Sequence, residues 1–597
     1  MSTIKFNGDA RFKFRFDTTE NWESLNPVLY AGEIGVEERD DGSRKIKLGD
    51  GKAAWTALDY FEGDPGEKGE KGEKGEKGDK GDPGEQGVQG IQGEKGDKGD
   101  PGDPGERGER GDTGNGIASI ALYSTVGVEK TYRITYTDGS YFDFTVNDSE
   151  VSAEDLAAVA DKVEDIKAYL GYTDEDIVGL QVDYQNKLFK RLGGAVGKSK
   201  GADFDVFPMF GGRKRCNVAD DGTIKAYYGD EDYADDGSNG QVMVYQPAFW
   251  YKVVPLVYDK NTESGIGYHL RKANYYVSSI PKTGFKLHPA FYDENGNPVD
   301  YILFSAYEGS MWDASAAEYV NDGTNTDTAI ETGDLLCSVA GVKPISGLYK
   351  NLNKTNLETM AKNRSENWHL ETVKAVSANQ LLMMIELGTM DTQTAIGRGV
   401  VAISGSSVNC SSLTGSTAEL GNTTGQAAET TNEISGVETK YTESTKVSVT
   451  YRGLENPWGN MWKHINGVNI WGDGTMAGGQ PYIADDFTFN ESKNSGNYHS
   501  AGFALANSGG YVSAVGYGKE EYDWLLMPSE IGGTSALPVG DYLNVTPNLN
   551  GYRIALLGGS WNSFGDGGGF CWRFGMDVGS RNHFFGGRLL YIPTAKT

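Results

Sequence analysis

Cysteine is scarce in this chain: there are four in 597 residues, at positions 216, 337, 410 and 571. None forms a C-x-x-C pair, which excludes a zinc module and a disulfide framework and leaves isolated thiols of a protein made in a reducing cytoplasm. Histidine numbers only six, with no H-x-x-x-H spacing, so no catalytic metal is expected. A structural calcium held by Asp/Asn loops stays open, but the WGDG at 471–474 is too short a motif to assign one, and no cofactor is expected. Long apolar runs are missing too. Nothing approaches the ~18 consecutive apolar residues of a membrane span. The N-terminal MSTIKFNGDARFKF lacks the apolar core of a secretory signal. Positive charge is in deficit: 55 Lys and Arg face 84 Asp and Glu, a net charge of −29, and the one basic run is Arg213-Lys214-Arg215. Such a polyanion repels nucleic acid rather than holding its phosphates.

Glycine, by contrast, is abundant, with 83 residues. From Gly63 to Gly114 it recurs at every third position without a miss. Three polyproline-II-like chains share an axis only where every third residue lacks a side chain, so this strict period predicts a collagen triple helix and hence a homotrimer. About 52 residues at ~3 Å each give a rod of roughly 150 Å. Repeated E-K-G and D-K-G triplets set opposite charges close together on staggered chains; each exposed pair contributes only ~0–1 kcal/mol, but the pairs recur along the rod.

The rod is a spacer, so its two ends matter. Residues 1–61 read as a small β module, with GEIGVEE and KIKLGDG as strands joined by a turn at Asp41-Gly42. Beyond the stalk (62–116), YRITYT and SYFDFTV flank Asp138-Gly139, a hairpin signal within a trimeric β module at 117–149. Residues 150–192 read as a helical, coiled-coil trimeriser and connector. Ser152 caps its first helix, with Asp155 completing a capping box. Leu156, Val159, Val163, Ile166 and Leu170 form an a/d seam, and Gly171 ends it. A second helix is predicted over Asp174 to Leu192. Residues 193–597 form one large α+β domain with frequent strands, a helix at 377–390 capped by Ser377 with Leu381, Met384 and Leu387 on one face, and a polar insert at 405–450 outside the core. The fold class is therefore multidomain and mainly β.

Several words resemble those of phage tail-fibre and receptor-binding proteins of the tropism-determinant type. At the N-terminus they are NPVLYAGEIGVEE and KIKLGDGKAAWTALDY; in that family this end attaches the fibre to tail or baseplate. In the large domain they are LQVDYQNKLFKRLGGAVG, GQVMVYQPAFWYKVVPL, GFKLHPAF, YRGLENPWGNMWKHINGVNIW, GYRIALLGGSWN and FGGRLLYIP. These are similar to a C-type-lectin-like receptor-binding domain, in which a rigid scaffold carries variable residues near the C-terminus. In such relatives a diversity-generating retroelement substitutes bases at template adenines, so Asn codons become Ser, Asp, Gly, Phe, Tyr, His or Arg.

By that resemblance Gly558, Gly559, Ser560 and Trp561 match a constant opening, Phe570 to Trp572 a constant middle, and Gly586 to Leu589 a constant exit. Trp561, Phe570, Trp572 and Arg588 are then scaffold. Ser563, Phe564, Asp566, Arg573, Gly575, Asp577, Arg581, His583 and Phe584 occupy the variable, receptor-binding positions. Met576 departs from the products of an Asn template. Independently, aromatic, Arg and His side chains suit recognition hot spots. No catalytic residues are assigned: Cys571 stands alone in its segment, and although Asp473, Asp485, Asp486 and Glu491 are available, nothing singles out a glycosidase pair. The resemblance implies a non-enzymatic virion protein, synthesised in the host cytoplasm. Its partners would be tail proteins and a bacterial surface glycan or protein, without nucleic acid or membrane insertion. The competing readings are a bacterial collagen-like surface adhesin, for which neither secretion signal nor anchor is seen, and a tail protein with glycan-depolymerase activity.

Overall fold

A computed structural model describes residues 15–29, 34–39, 44–48, 52–58, 117–126, 129–137, 139–147, 153–321, 326, 328–403, 411–427, 447–474 and 478–595. The chain divides into two compact units, residues 1–158 and 159–597. The stalk at 62–116 and the Asp41-Gly42 turn lie outside the described residues. Among the described residues, no helix is long and apolar enough to cross a membrane.

In the first unit, β1 (Arg15–Thr18) runs parallel to β2 (Ile34–Glu38), which pairs antiparallel with β3 (Arg44–Leu48). Helix α1 (Thr19–Leu25) starts where Thr18 accepts the Asn21 amide and stops at Asn26, whose φ is 37°. Its Trp22 stacks on Trp55 at 3.9 Å, and Leu29 and Leu58 complete a small core. The Gly of GEIGVEE is required by this packing, because a Cβ at Gly35 would lie 2.3 Å from the Trp55 ring.

The same unit holds a three-stranded antiparallel sheet: β4 (Ile117–Val126), β5 (Glu129–Tyr136) and β6 (Tyr141–Asn147). The expected hairpin is β5–β6, with Gly139 at φ 84°; Asp138 lies outside the described residues. On one face Arg133 forms a two-pronged pair with Asp143 at 2.7 and 2.6 Å. Its guanidinium sits between the Tyr123 and Tyr141 rings at 3.5 and 3.6 Å.

Helix α2 (Ala153–Leu170) ends before Gly171, at φ 109°. Ser152 and the side chains of Asp155, Leu156 and Val159 lie outside the described residues. Near its end, Ala168 is buried with Tyr172, Ile177, Leu192 and Tyr276, whereas Ile166 and Leu170 are exposed. The helix predicted over Asp174 to Leu192 is instead a hairpin, β7 (Ile177–Asp183) and β8 (Leu188–Gly193). Ile177, Val178 and Val182 are β-branched and suit a buried strand. Asp183 accepts the Asn186 amide to form the turn, and Lys187 takes φ 58°. Pairing of β7 with the strand Tyr268–Ser278 makes the hairpin part of the larger unit.

Among the described residues, two large sheets dominate that unit. The larger passes from Trp250–Lys260 and Tyr268–Ser278 through Gly510–Tyr517, Tyr542–Val545, Trp572–Asp577 and Asn550–Leu557 to Trp462–Asp473. In the smaller, the late strand Leu589–Tyr591 lies between Tyr301–Ser305 and Trp368–Leu370. A helix, Val373–Leu387, runs through the core; its cap is Thr372, accepting the Ala375 amide, and not Ser377, which sits inside the helix and donates to the Lys374 carbonyl. Nor is it one-faced: every residue except Lys374 is buried, so its apolar stretch is wrapped on all sides. The polar insert is also less peripheral than its composition implies. Ser412 and Thr417 are fully buried, and the Glu455 carboxylate accepts the amides of Gly415 and Thr417. The buried Arg215 donates to the Thr417 and Gly453 carbonyls. Small polar residues fill this space because buried charged groups answer their hydrogen bonds. Residues 404–410, with Cys410, and 428–446 lie outside the described residues.

Candidate binding surface

The C-terminal segment leaves the sheet at the end of the strand Asn550–Leu557. Gly558 and Gly559 then take φ 95° and 81°, a bend that L side chains resist. The bend delivers Trp561 into a buried cluster with Val400, Ile403 and Met461. Phe570 and Trp572 enter the main core. The Phe570 amide donates to the buried Asp541 carboxylate, and the Trp572 indole donates to the Leu526 carbonyl. Arg588 is 2% exposed. Its Nη1 donates to the carbonyls of Glu455 and Asn456 at 2.9 and 3.3 Å, and its Nη2 to those of Ser305 and Ala306 at 3.0 and 3.2 Å. One guanidinium thus ties the C-terminal segment to two others.

The nine positions that the resemblance assigns as variable differ from these four in one respect: each is at least partly exposed. Ser563 Oγ accepts the Ser560 amide. Phe564 is 51% exposed at φ 50°, with its amide on the Val401 carbonyl and its carbonyl accepting from the Gln393 side chain. Asp566 accepts from the Tyr511 hydroxyl at 2.9 Å; burial, then this carboxylate, push the Tyr511 phenol up to about 12. Arg573 lies over the rings of Trp462 and Phe585 at 5.7 and 5.8 Å, and its partial burial lowers the guanidinium pKa. Gly575 faces Thr546, whose hydroxyl donates to the Gly575 carbonyl. Asp577 pairs with Arg553 at 2.9 Å, and Arg581 donates to the Gly347 carbonyl at 3.4 Å. His583 packs on Trp561 and Phe584 at 5.7 and 4.7 Å; burial lowers its pKa and so favours the neutral imidazole.

The contacts join much of this set. Trp561, His583, Phe584 and Phe585 form a continuous aromatic run, with Arg573 over the Phe585 ring at one end. Asp566 connects through Tyr511 to Tyr542 (5.3 Å, edge to face), and Asn544 lies beside Arg573 in the parallel ladder. Asp577 and Arg581 are held separately, on Arg553 and Gly347. Met576 packs against the cluster of Trp462, Ile554, Leu556, Cys571 and Phe585, which gives its side chain a structural occupation.

Tyr511, Tyr542, Asn544 and Thr546 also belong to this surface, although they lie outside the C-terminal segment. Their signal in the sequence is slight: in DYLNV the buried Leu543 separates the partly exposed Tyr542 and Asn544 with strand period.

The groups considered for catalysis are otherwise engaged. Asp485 pairs with His499 at 2.8 Å, and Asp486 accepts from Asn497 and the Thr488 amide. Glu491 accepts from Thr355 and from the Gly579 amide. Asp473 closes the strand Trp462–Asp473. The Cys571 thiol is buried and pushed far above its ordinary pKa. Among the described residues, no group of three or more His, Cys, Asp and Glu is placed to hold a metal.

The collagen triple helix repeat family matches residues 62–118. No curated protein matches the sequence. Among solved structures, the chain is similar to the Major Tropism Determinant P3c variant, at 11% identity over 97% of this chain and 98% of that one, with a TM-score of 0.21. The U1 variant gives 12% identity over 97% and 99%, with a TM-score of 0.20. The I1 variant gives 11% over 97% and 99%, with a TM-score of 0.21. Superpositions at that level carry no weight for the site.

Proposed function

We propose that this chain is a homotrimeric phage tail fibre protein that binds a receptor on the bacterial host surface and thereby mediates adsorption and host tropism. The observation that carries this reading is the separation within residues 558–589: Trp561, Phe570, Trp572 and Arg588 are buried, while all nine intervening variable positions reach the surface. A segment organised this way can change its outward chemistry without disturbing its support, which is what a tropism surface requires. Phe564, Arg573, His583 and Phe584 supply aromatic and cationic contact, the residue types that dominate binding hot spots.

The remaining parts follow in order. Residues 1–61 attach to the tail or baseplate, 62–116 form the rod, 117–149 and the helix at its far side hold three chains together, and the large domain carries the receptor site on a C-type-lectin-like scaffold. The exposed Ile166 and Leu170 support a seam completed by other copies. The collagen repeat supports the trimer, since a lone strand of that helix has no internal hydrogen bonds. Three sites on one head raise effective affinity without new contacts. The protein works as a non-enzymatic component of the virion tail.

The test is adsorption. Phe564→Ala, Arg573→Ala and His583→Ala, combined in one protein of unchanged melting temperature, are expected to reduce binding to host cells at least tenfold. Unchanged adsorption would sink the site.

A further inference from the structure

We propose that one face of the β4–β6 sheet is the surface on which three copies of this chain meet just beyond the stalk. The inference deepens the trimeric reading above and rests on it.

The register assigns the faces. Arg133 pairs with Asp143 and Thr131 with Thr145, and the two threonine hydroxyls are hydrogen-bonded at 3.0 Å. That face is the more polar one: its charges are already matched, and the hydroxyl-bearing rings of Tyr123 and Tyr141, each 58% exposed, flank the Arg133 guanidinium. The other face alternates with it: Ile120 lies opposite Ile134, Leu122 opposite Tyr132, Tyr132 opposite Phe144 and Ile134 opposite Phe142. Six apolar or aromatic side chains therefore share one side of a three-stranded sheet. Tyr132 and Phe144 stack at 5.6 Å, yet Ile120, Leu122 and Phe142 remain 37%, 52% and 56% exposed. Among the described residues, none of the six belongs to a buried apolar cluster. A sheet of this size needs an apolar face packed on something to be stable.

The occupant follows from the chain itself. The collagen repeat extends to residue 118, and β4 begins at Ile117. A triple helix holds three chains around an axis so crowded that only Gly fits. It therefore delivers three identical β4 strands side by side. With the apolar faces turned inward, three sheets close a three-walled prism around Ile120, Leu122, Ile134, Phe142 and the Tyr132–Phe144 stack. The opposite arrangement would desolvate three Arg133–Asp143 pairs and leave the apolar faces in water, which disfavours it.

The experiment uses the full chain in a Cys410→Ser background, where the remaining cysteines, Cys216, Cys337 and Cys571, are buried. Leu122→Cys and Phe142→Cys place single thiols on the apolar face, and Thr145→Cys places one on the polar face. Each protein is treated with a short bismaleimide, run on a denaturing gel, and checked for trimers by light scattering. Most Leu122→Cys and Phe142→Cys chains are expected to form covalent dimers, and Thr145→Cys at least tenfold fewer. Equal cross-linking at Thr145→Cys, or none at either apolar position in a protein that is trimeric by light scattering, overturns the assignment and leaves the trimer standing. A monomeric parent overturns both.

Discussion

Trp561 and Phe564 are three residues apart, both aromatic, and assigned opposite tasks. Trp561 is fully buried among Val400, Ile403 and Met461, whereas Phe564 is half exposed. Truncating a buried aromatic to Ala costs about 3–5 kcal/mol through lost transfer energy and the cavity left behind. An exposed residue away from special contacts changes stability by at most ~0.5 kcal/mol. The larger unit has about 440 residues, and unfolding entropy of ~2.1 cal/mol/K per residue gives ~0.9 kcal/mol/K for the whole. Trp561→Ala should therefore lower the calorimetric midpoint of that unit by about 3–5 °C, and Phe564→Ala by under ~1 °C. Host-cell adsorption should respond in the opposite order when compared well below the midpoint. Equal thermal shifts for the two variants would refute the division between scaffold and display.

Arg588→Lys keeps the charge but replaces a planar fork with a single nitrogen, which cannot serve four carbonyls on two segments. Losing two of those hydrogen bonds from a charged donor should cost about 3 kcal/mol, read as a midpoint about 3 °C lower; an unchanged midpoint would contradict the clamp. His288 and His464 are fully buried, and desolvation holds both at about 3. The unfolded chain, with imidazoles near 6.5, binds more protons between pH 6.5 and 3, so this contribution is whole above pH 6.5 and falls as the pH drops. At pH 5 the loss is about 2 kcal/mol for each histidine. Neither His464 nitrogen has a hydrogen-bond partner, so His464→Leu should remove its share of the acid slope, about as much as His288 contributes, in midpoint-against-pH measurements.

Much of the architecture was legible because its signals are local. Strict glycine period marked the stalk, and the hairpin 129–147 followed from β-branched and aromatic runs around Asp138-Gly139. The failures share a cause. From Asp174 to Leu192 the composition admits a helix, and only the distant strand Tyr268–Ser278, reached across some ninety residues of sequence, selects the hairpin. Ser377 is a good capping residue that lost to Thr372, because the apolar stretch continues upstream through Val373 and Val376. In the insert, polarity concealed burial, since the carboxylate and guanidinium that satisfy it come from Glu455 and Arg215. The candidate surface divides likewise: its C-terminal positions are named by the resemblance, whereas Tyr511, Tyr542 and Asn544 join through the sheet.

The left-handed backbone at Phe564 bears on which mutations the gene can accept there. Asn visits that conformation more readily than most residues, and Asp is also tolerated, while a bulky aromatic at φ 50° is held against a strain of roughly 1–3 kcal/mol. On the proposed function, codon changes at this position would not have equal chances of survival: Asn, Asp and Gly are the conformationally easy outcomes, and Phe would persist where binding compensates. Sequencing host-selected variants at codon 564 would thus read selection through a backbone filter, with an aromatic outcome carrying more information about the receptor than a small polar one.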